Sequence, residues 1–225
     1  MYFSTIRILI YVSAICYLLQ SIYYPIIDKN FGLSYIGNDN FDTIQLFTYG
    51  FLHGSPFHLL VNLFMLVLFG SKIDMVFGCK QFLIILFLSI IGGGIFQTIS
   101  NMLIVNNHFG TPFPLDSTTD VVGNVLFALE NGMYIKSVFS SITIGMSGGV
   151  FGCMLAYTTL FPTDKFNVIF TSWKVPCRWF VAFYIALEIY NAFHAQSIQI
   201  AHFAHLGGAV FGFLYALKLR LYFSI

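Results

Sequence analysis

Six apolar windows run through this chain, at about 5–27, 56–77, 81–105, 143–161, 177–195 and 202–222. Each holds roughly 18–25 residues, the length that crosses a hydrocarbon layer about 30 Å thick. A soluble domain has no room for six such windows in 225 residues, of which 58% are hydrophobic and 8% charged. The pattern predicts an all-α, multi-pass membrane protein, residues 1–225 forming one membrane domain with no separate soluble part. The first window runs to Ile27 without a small-residue cleavage site, so it reads as a retained span rather than a signal peptide. Net charge is +1 and the basic residues are scattered, which removes the electrostatic case for nucleic acid. Cys16, Cys79, Cys153 and Cys177 form no CxxC or metal-type spacing and read as small apolar side chains. The interval 106–142 is long enough for a short interfacial helix near 118–130.

With the N-terminus in the cytoplasm, Arg7, Lys72, Lys80, Lys165, Lys174, Arg178, Lys218 and Arg220 lie inside, and Lys29 and Lys136 outside. That imbalance favours cytoplasmic N- and C-termini. Spans 2, 4 and 6 then enter from the outer side and run in the same direction. Their polar residues cluster at their starts: His53, His58 and Asn62 on span 2, Ser147 on span 4, His202 and His205 on span 6. Polar groups inside a membrane are costly enough to be functional candidates, and at 1.5 Å per residue these share one depth. Gly208 and Gly212, three and seven residues after His205, make a smooth stripe beneath it. Gly145, Gly148, Gly149 and Gly152 surround Ser147. Small residues let membrane helices approach until side chains on different helices touch.

Serine becomes a nucleophile when a positioned base takes its proton, and histidine is the usual base. Ser147 and His205 suit those roles. His58, Asn62 and the Ser147 backbone N–H are the available donors for a tetrahedral oxyanion, and Phe151, four residues after Ser147, is placed to brace the imidazole. No carboxylate sits at a matching depth near span 6 to orient His205, so a Ser–His dyad is expected rather than a triad. Glu188 in span 5 either is protonated or faces a polar cavity. His53/His58 and His202/His205 have no accompanying Glu in an HExxH pattern and no obvious third ligand, so neither a metal nor any other cofactor is expected. The charged, broken mid-depth helices of a transporter are missing apart from Glu188.

Three segments resemble the rhomboid family of intramembrane serine proteases, over about residues 45–215. "QLFTYGFLHGSPFHLLVNLFMLVLFG" resembles the family's second span, where a His and an Asn four residues later assist the oxyanion; these fall on His58 and Asn62. "GMSGGVFG" resembles its nucleophile motif, at Ser147. "AHLGGAVFG" resembles its sixth-span motif and selects His205 over His202. The resemblance implies a six-helix bundle with a water-filled cavity capped by a loop at about 192–203. It also implies a lateral gate on span 5 at Phe180, Phe183, Tyr184 and Leu187, and single-span membrane proteins as substrates, cut near the outer end of the span. Departures are Phe151 where many members have Tyr, Asp74 where Glu is frequent, no evident Trp-Arg pair in the first loop, and the long 106–142 interval. A catalytically silent relative that binds membrane helices is the alternative function. The short chain suggests a prokaryotic cell membrane.

Overall fold

The computed structural model describes residues 4–113, 138, 141–167, 173–194 and 201–223. Seven α-helices run through these residues: α1 (Ser4–Ile22), α2 (Ile26–Phe31), α3 (Gln45–Thr48), α4 (Pro56–Phe109), α5 (Ser147–Leu160), α6 (Cys177–His194) and α7 (His202–Phe223). A 3₁₀ turn over Tyr49–Phe51 extends α3. Stretches within α1, α4 and α7, namely Thr5–Ile22, Pro56–Asn107 and His202–Phe223, are long and apolar enough to cross a membrane. The expected helix near 118–130 lies outside the described residues, as does the middle half, 195–200, of the loop expected at 192–203.

The count differs from the expected six for two local reasons. Before the second window come α2, which starts at the end of the first window, and α3, each shorter than two turns and so without a periodic pattern to betray it. Windows 56–77 and 81–105 join into a single run of helical hydrogen bonds, interrupted where Gly78 adopts φ 82°, ψ 162°. That conformation is open to glycine and closed to residues with a Cβ. The chain folds back there. A Cβ on Gly70 would meet the Phe82 ring at 2.7 Å, whereas twelve residues of unbroken helix would hold the two about 18 Å apart. The chain is also not wholly α: Lys165–Asn167 pairs antiparallel with Lys174–Pro176, Phe166 opposite Val175.

α5 is the centre of the bundle. Ten of its fourteen residues are buried, most of them apolar or glycine, and it packs between α4 and α7. The main core joins Leu66, Phe69, Ile85, Leu86, Met154 and Leu219 from these three helices. The outward faces are apolar as well: Ile8, Leu18, Phe64, Phe183 and Leu214 are all exposed. Helices apolar on every side suit a lipid surround. α6 is the peripheral member, burying only Cys177, Val181 and Glu188.

Polar contacts pin the ends. Lys72 on α4 pairs with Asp164 just beyond α5, and the Tyr157 hydroxyl donates to the same carboxylate oxygen at 2.5 Å. Burial pushes the Asp164 carboxyl up, but these two donors outweigh it and hold it below its usual range. Thr5 donates to Asp74 at 3.3 Å, a structural contact between α1 and α4. At the opposite end of α5, Leu33 and Thr143 exchange two backbone hydrogen bonds of 2.9 Å, and the Gly145 N–H donates to the Tyr49 carbonyl at 2.9 Å. The segment after α1 thereby sets where α5 begins.

Candidate active site

Ser147 is the first residue of α5, which begins later than the window 143–161 implied and so puts the serine at the head of its helix. The bridge at Thr143 and the φ of 132° at Gly145 keep the preceding residues out of the helix. A hydroxyl at this position sits beside first-turn N–H groups that have no partner within the helix and carry the positive end of its dipole.

Four glycines bring α5 against α7. A Cβ on Gly208 would lie 2.0 Å from the Gly148 carbonyl oxygen, and one on Gly212 would lie 2.3 Å from that of Gly152. The backbones are thus in direct contact at two successive turns, and the order 148 to 208 and 152 to 212 makes the helices parallel. One residue before the upper contact stands Ser147, and three before it His205. Their side chains meet: His205 Nε2 lies 2.7 Å from Ser147 Oγ. Phe151, one turn along α5, stacks on the His205 ring with centroids 4.5 Å apart and planes inclined by 10°. Offset stacking of this kind contributes about 0.5–1.5 kcal/mol beyond burial and restricts rotation of the imidazole.

α4 supplies the third wall. Ser55 caps it, accepting from the His58 N–H at 3.1 Å, with Pro56 in the first helical position, where its missing N–H costs nothing. The cap puts His58 in the first turn, facing the chain before Ser147. A Cβ on Gly145 would lie 2.7 Å from His58 Cε1 and 3.0 Å from its Nε2, and 3.6 Å from Ser147 Oγ. Glycine is required at 145 twice over, for its φ and for the room the imidazole takes. The Gly54 N–H points at His58 Nδ1 over a long 3.4 Å, which makes Nδ1 the acceptor and leaves the neutral ring's proton on Nε2, the atom on the Ser147 side. Asn62 is buried, and its amide donates to the His58 carbonyl at 2.9 Å. Nδ2 carries two protons, so one remains. His53 is 1% exposed and its ring stands edge-on to His58 at 5.2 Å.

One expectation is overturned. A carboxylate does stand beside His205: Glu188 Oε2 lies 2.9 Å from its Nδ1. The same oxygen lies 2.7 Å from Nδ1 of His202. The His202 contact is a hydrogen bond. The His205 contact has ion-pair distance without hydrogen-bond geometry, since Nδ1 has no bonded acceptor. Depth counted from span starts misplaces Glu188, because α6 and α7 are successive and run in opposite directions. Counted back from the end of α6, Glu188 is six residues in, level with the first turn of α7. The available signal was the residue type itself, a carboxylate in an apolar span.

Glu188 also overturns the absence of a third ligand near His202 and His205. The three residues offer ligand atoms within 4.8 Å of one another and can in principle hold a metal. Tetrahedral zinc with bonds of about 2.0–2.1 Å spaces its ligand atoms by about 3.3 Å. The 2.7 and 2.9 Å separations here are those of groups in direct contact.

A family model described as the Rhomboid domain matches residues 40–222. Among curated proteins, none matches the chain.

Proposed function

Since the chain belongs to the rhomboid family of intramembrane proteins, we propose that it is a serine endopeptidase that hydrolyses peptide bonds of single-span membrane proteins near the outer end of the span. The observation that carries the reading is the 2.7 Å contact between Ser147 Oγ and His205 Nε2. His205 takes the hydroxyl proton as Oγ attacks the scissile carbonyl, and Nε2 returns that proton to the departing amine. The oxyanion is met by the Ser147 N–H at the head of α5, by His58 Nε2–H and by the free Asn62 amide proton. One such donor is worth about 10²–10³ in rate. Water then cleaves the acyl-enzyme, with His205 again as base.

In this reading six segments span the bilayer, α4 contributing two through its fold at Gly78, and both termini face the cytoplasm of a prokaryotic cell. α6 flanks the site with Tyr184, whose ring stands 6.0 Å from Phe151, and with exposed Phe183 and Leu187, an apolar face suited to a substrate helix. A relative that only bound helices would have no use for a serine and a histidine in hydrogen-bond contact. The test is cleavage of a labelled single-span substrate in proteoliposomes. Ser147→Ala and His205→Ala each abolish it if the reading is right, and parental cleavage by either variant refutes it.

A further inference from the structure

Glu188 is 7% exposed on a largely apolar helix, and a buried ionised group persists only if donors surround it. Two imidazoles supply them. An ionised carboxylate only accepts, so an oxygen 2.7 Å from His202 Nδ1 and 2.9 Å from His205 Nδ1 favours the proton on Nδ1 of each ring. A neutral imidazole with its proton on Nδ1 carries its lone pair on Nε2. On His205 that atom faces Ser147 Oγ.

We propose that Glu188 is the positioning carboxylate of this site, holding His205 in the tautomer that accepts the Ser147 proton and, through His202, tying α6 to the first turn of α7. The proposal rests on the reading of Ser147 and His205 as nucleophile and base, and it replaces a dyad with an array of four groups on three helices. When His205 takes the proton it becomes a cation beside a carboxylate already in place, so the charge that develops is met without rearrangement. The His205 contact is already at hydrogen-bond distance, 2.9 Å, and such contacts commonly tighten and align when substrate binds.

The link to α6 follows from the same oxygen. Glu188 is the one charged side chain that α6 buries, so displacement of α6 away from α7 would remove the carboxylate from both histidines together. The position of α6 thereby controls whether the base is correctly protonated.

The deciding experiment compares the parent, Glu188→Gln, Glu188→Asp and Ser147→Ala in proteoliposomes, reading kcat and KM for a single-span substrate. It is paired with ¹⁵N NMR of labelled histidines, His205 being assigned by its loss in His205→Ala. Glutamine keeps the shape and removes the charge. Its kcat falls by about 10²–10⁴-fold, the range that loss of general-base assistance costs, with KM within about threefold, and the His205 proton moves from Nδ1 to Nε2. Aspartate keeps the charge on a shorter arm and recovers at least about tenfold of the lost kcat; a side chain serving only to fill space would be rescued no better by Asp than by Gln. Parental kcat in Glu188→Gln overturns the proposal, as does an Nε2-protonated neutral His205 in the parent, a result that needs no variant to fold. Undiminished cleavage by Ser147→Ala would instead refute the protease reading itself.

Discussion

Substituting Gly208 by Ala tests whether helix contact sets the reacting distance. The added methyl would lie 2.0 Å from the Gly148 carbonyl oxygen and 2.5 Å from its carbon, and neither backbone atom can swing aside as a side-chain tip does. A carbon approaches a carbonyl oxygen to about 3.3 Å, so α5 and α7 must part locally by about 1.3 Å. Ser147 and His205 ride on those two helices within one turn of the contact. Their 2.7 Å separation would open to about 4 Å, beyond hydrogen-bond reach. Loss of general-base assistance costs about 10²–10⁴-fold in kcat, and the forced overpacking costs about 1–3 kcal/mol of stability. The assay is the initial rate of cleavage of a single-span substrate in proteoliposomes, with labelling of Ser147 by a fluorophosphonate as a substrate-independent readout and thermal unfolding as a check on folding. Leu214→Ala, on the exposed side of the same helix, is the control and changes the rate by less than about twofold, as surface substitutions shift stability within about 0.5 kcal/mol. Parental cleavage and labelling by a folded Gly208→Ala would refute the argument that glycine contact fixes the pair.

Three further outcomes follow from other contacts. Phe151→Leu removes the ring stacked on His205 and lowers kcat by about two- to tenfold, from the roughly 0.5–1.5 kcal/mol of an aromatic pair; Phe151→Tyr retains the parental rate, and equal rates for Leu and Tyr would remove any role for stacking. Incubation with a chelator followed by the same cleavage assay leaves the rate unchanged; a loss restored by zinc would assign Glu188, His202 and His205 to a metal. Asp164→Asn loses the contact with Lys72 and lowers stability by about 1 kcal/mol, a modest figure because the pair is partly exposed. The Asp164 carboxyl is held below its unfolded value, so its contribution is full above about pH 5 and fades as pH falls through the folded-state value, the unfolded carboxyl titrating near 3.9. Chemical denaturation of parent and variant from pH 3 to 7 reads this directly, and a difference that grows toward acid would contradict it.

What the sequence disclosed and what it hid divide along physical lines. The motif around Ser147 and the glycines after His205 were legible because helical period converts spacing into a face: residues three and seven apart must line up, and small residues on such a face imply close backbones. The cap at Ser55 and Pro56 that places His58 is an equally local signal, one that the sequence reading did not use. Glu188 was hidden because its partners lie on a different helix running the opposite way, so its depth follows from the turn between α6 and α7 and not from its position in its own window. The bridge between Leu33 and Thr143 joins segments more than a hundred residues apart, and no pattern within either announces it. That bridge delays the start of α5 until Ser147 stands at its head. Gly78 illustrates an intermediate case: the boundary between two windows was visible, but not that the helical hydrogen bonds would continue across a single glycine in the left-handed region.

The most direct test of the account is mass spectrometry of the intact membrane protein after reaction with a fluorophosphonate, with the adduct mapped by peptide fragmentation and its formation rate compared in the parent and His205→Ala. The account predicts a single adduct on Ser147, forming at least about 10²-fold more slowly when the imidazole is removed. Labelling elsewhere, or labelling of Ser147 at the same rate without His205, would contradict it.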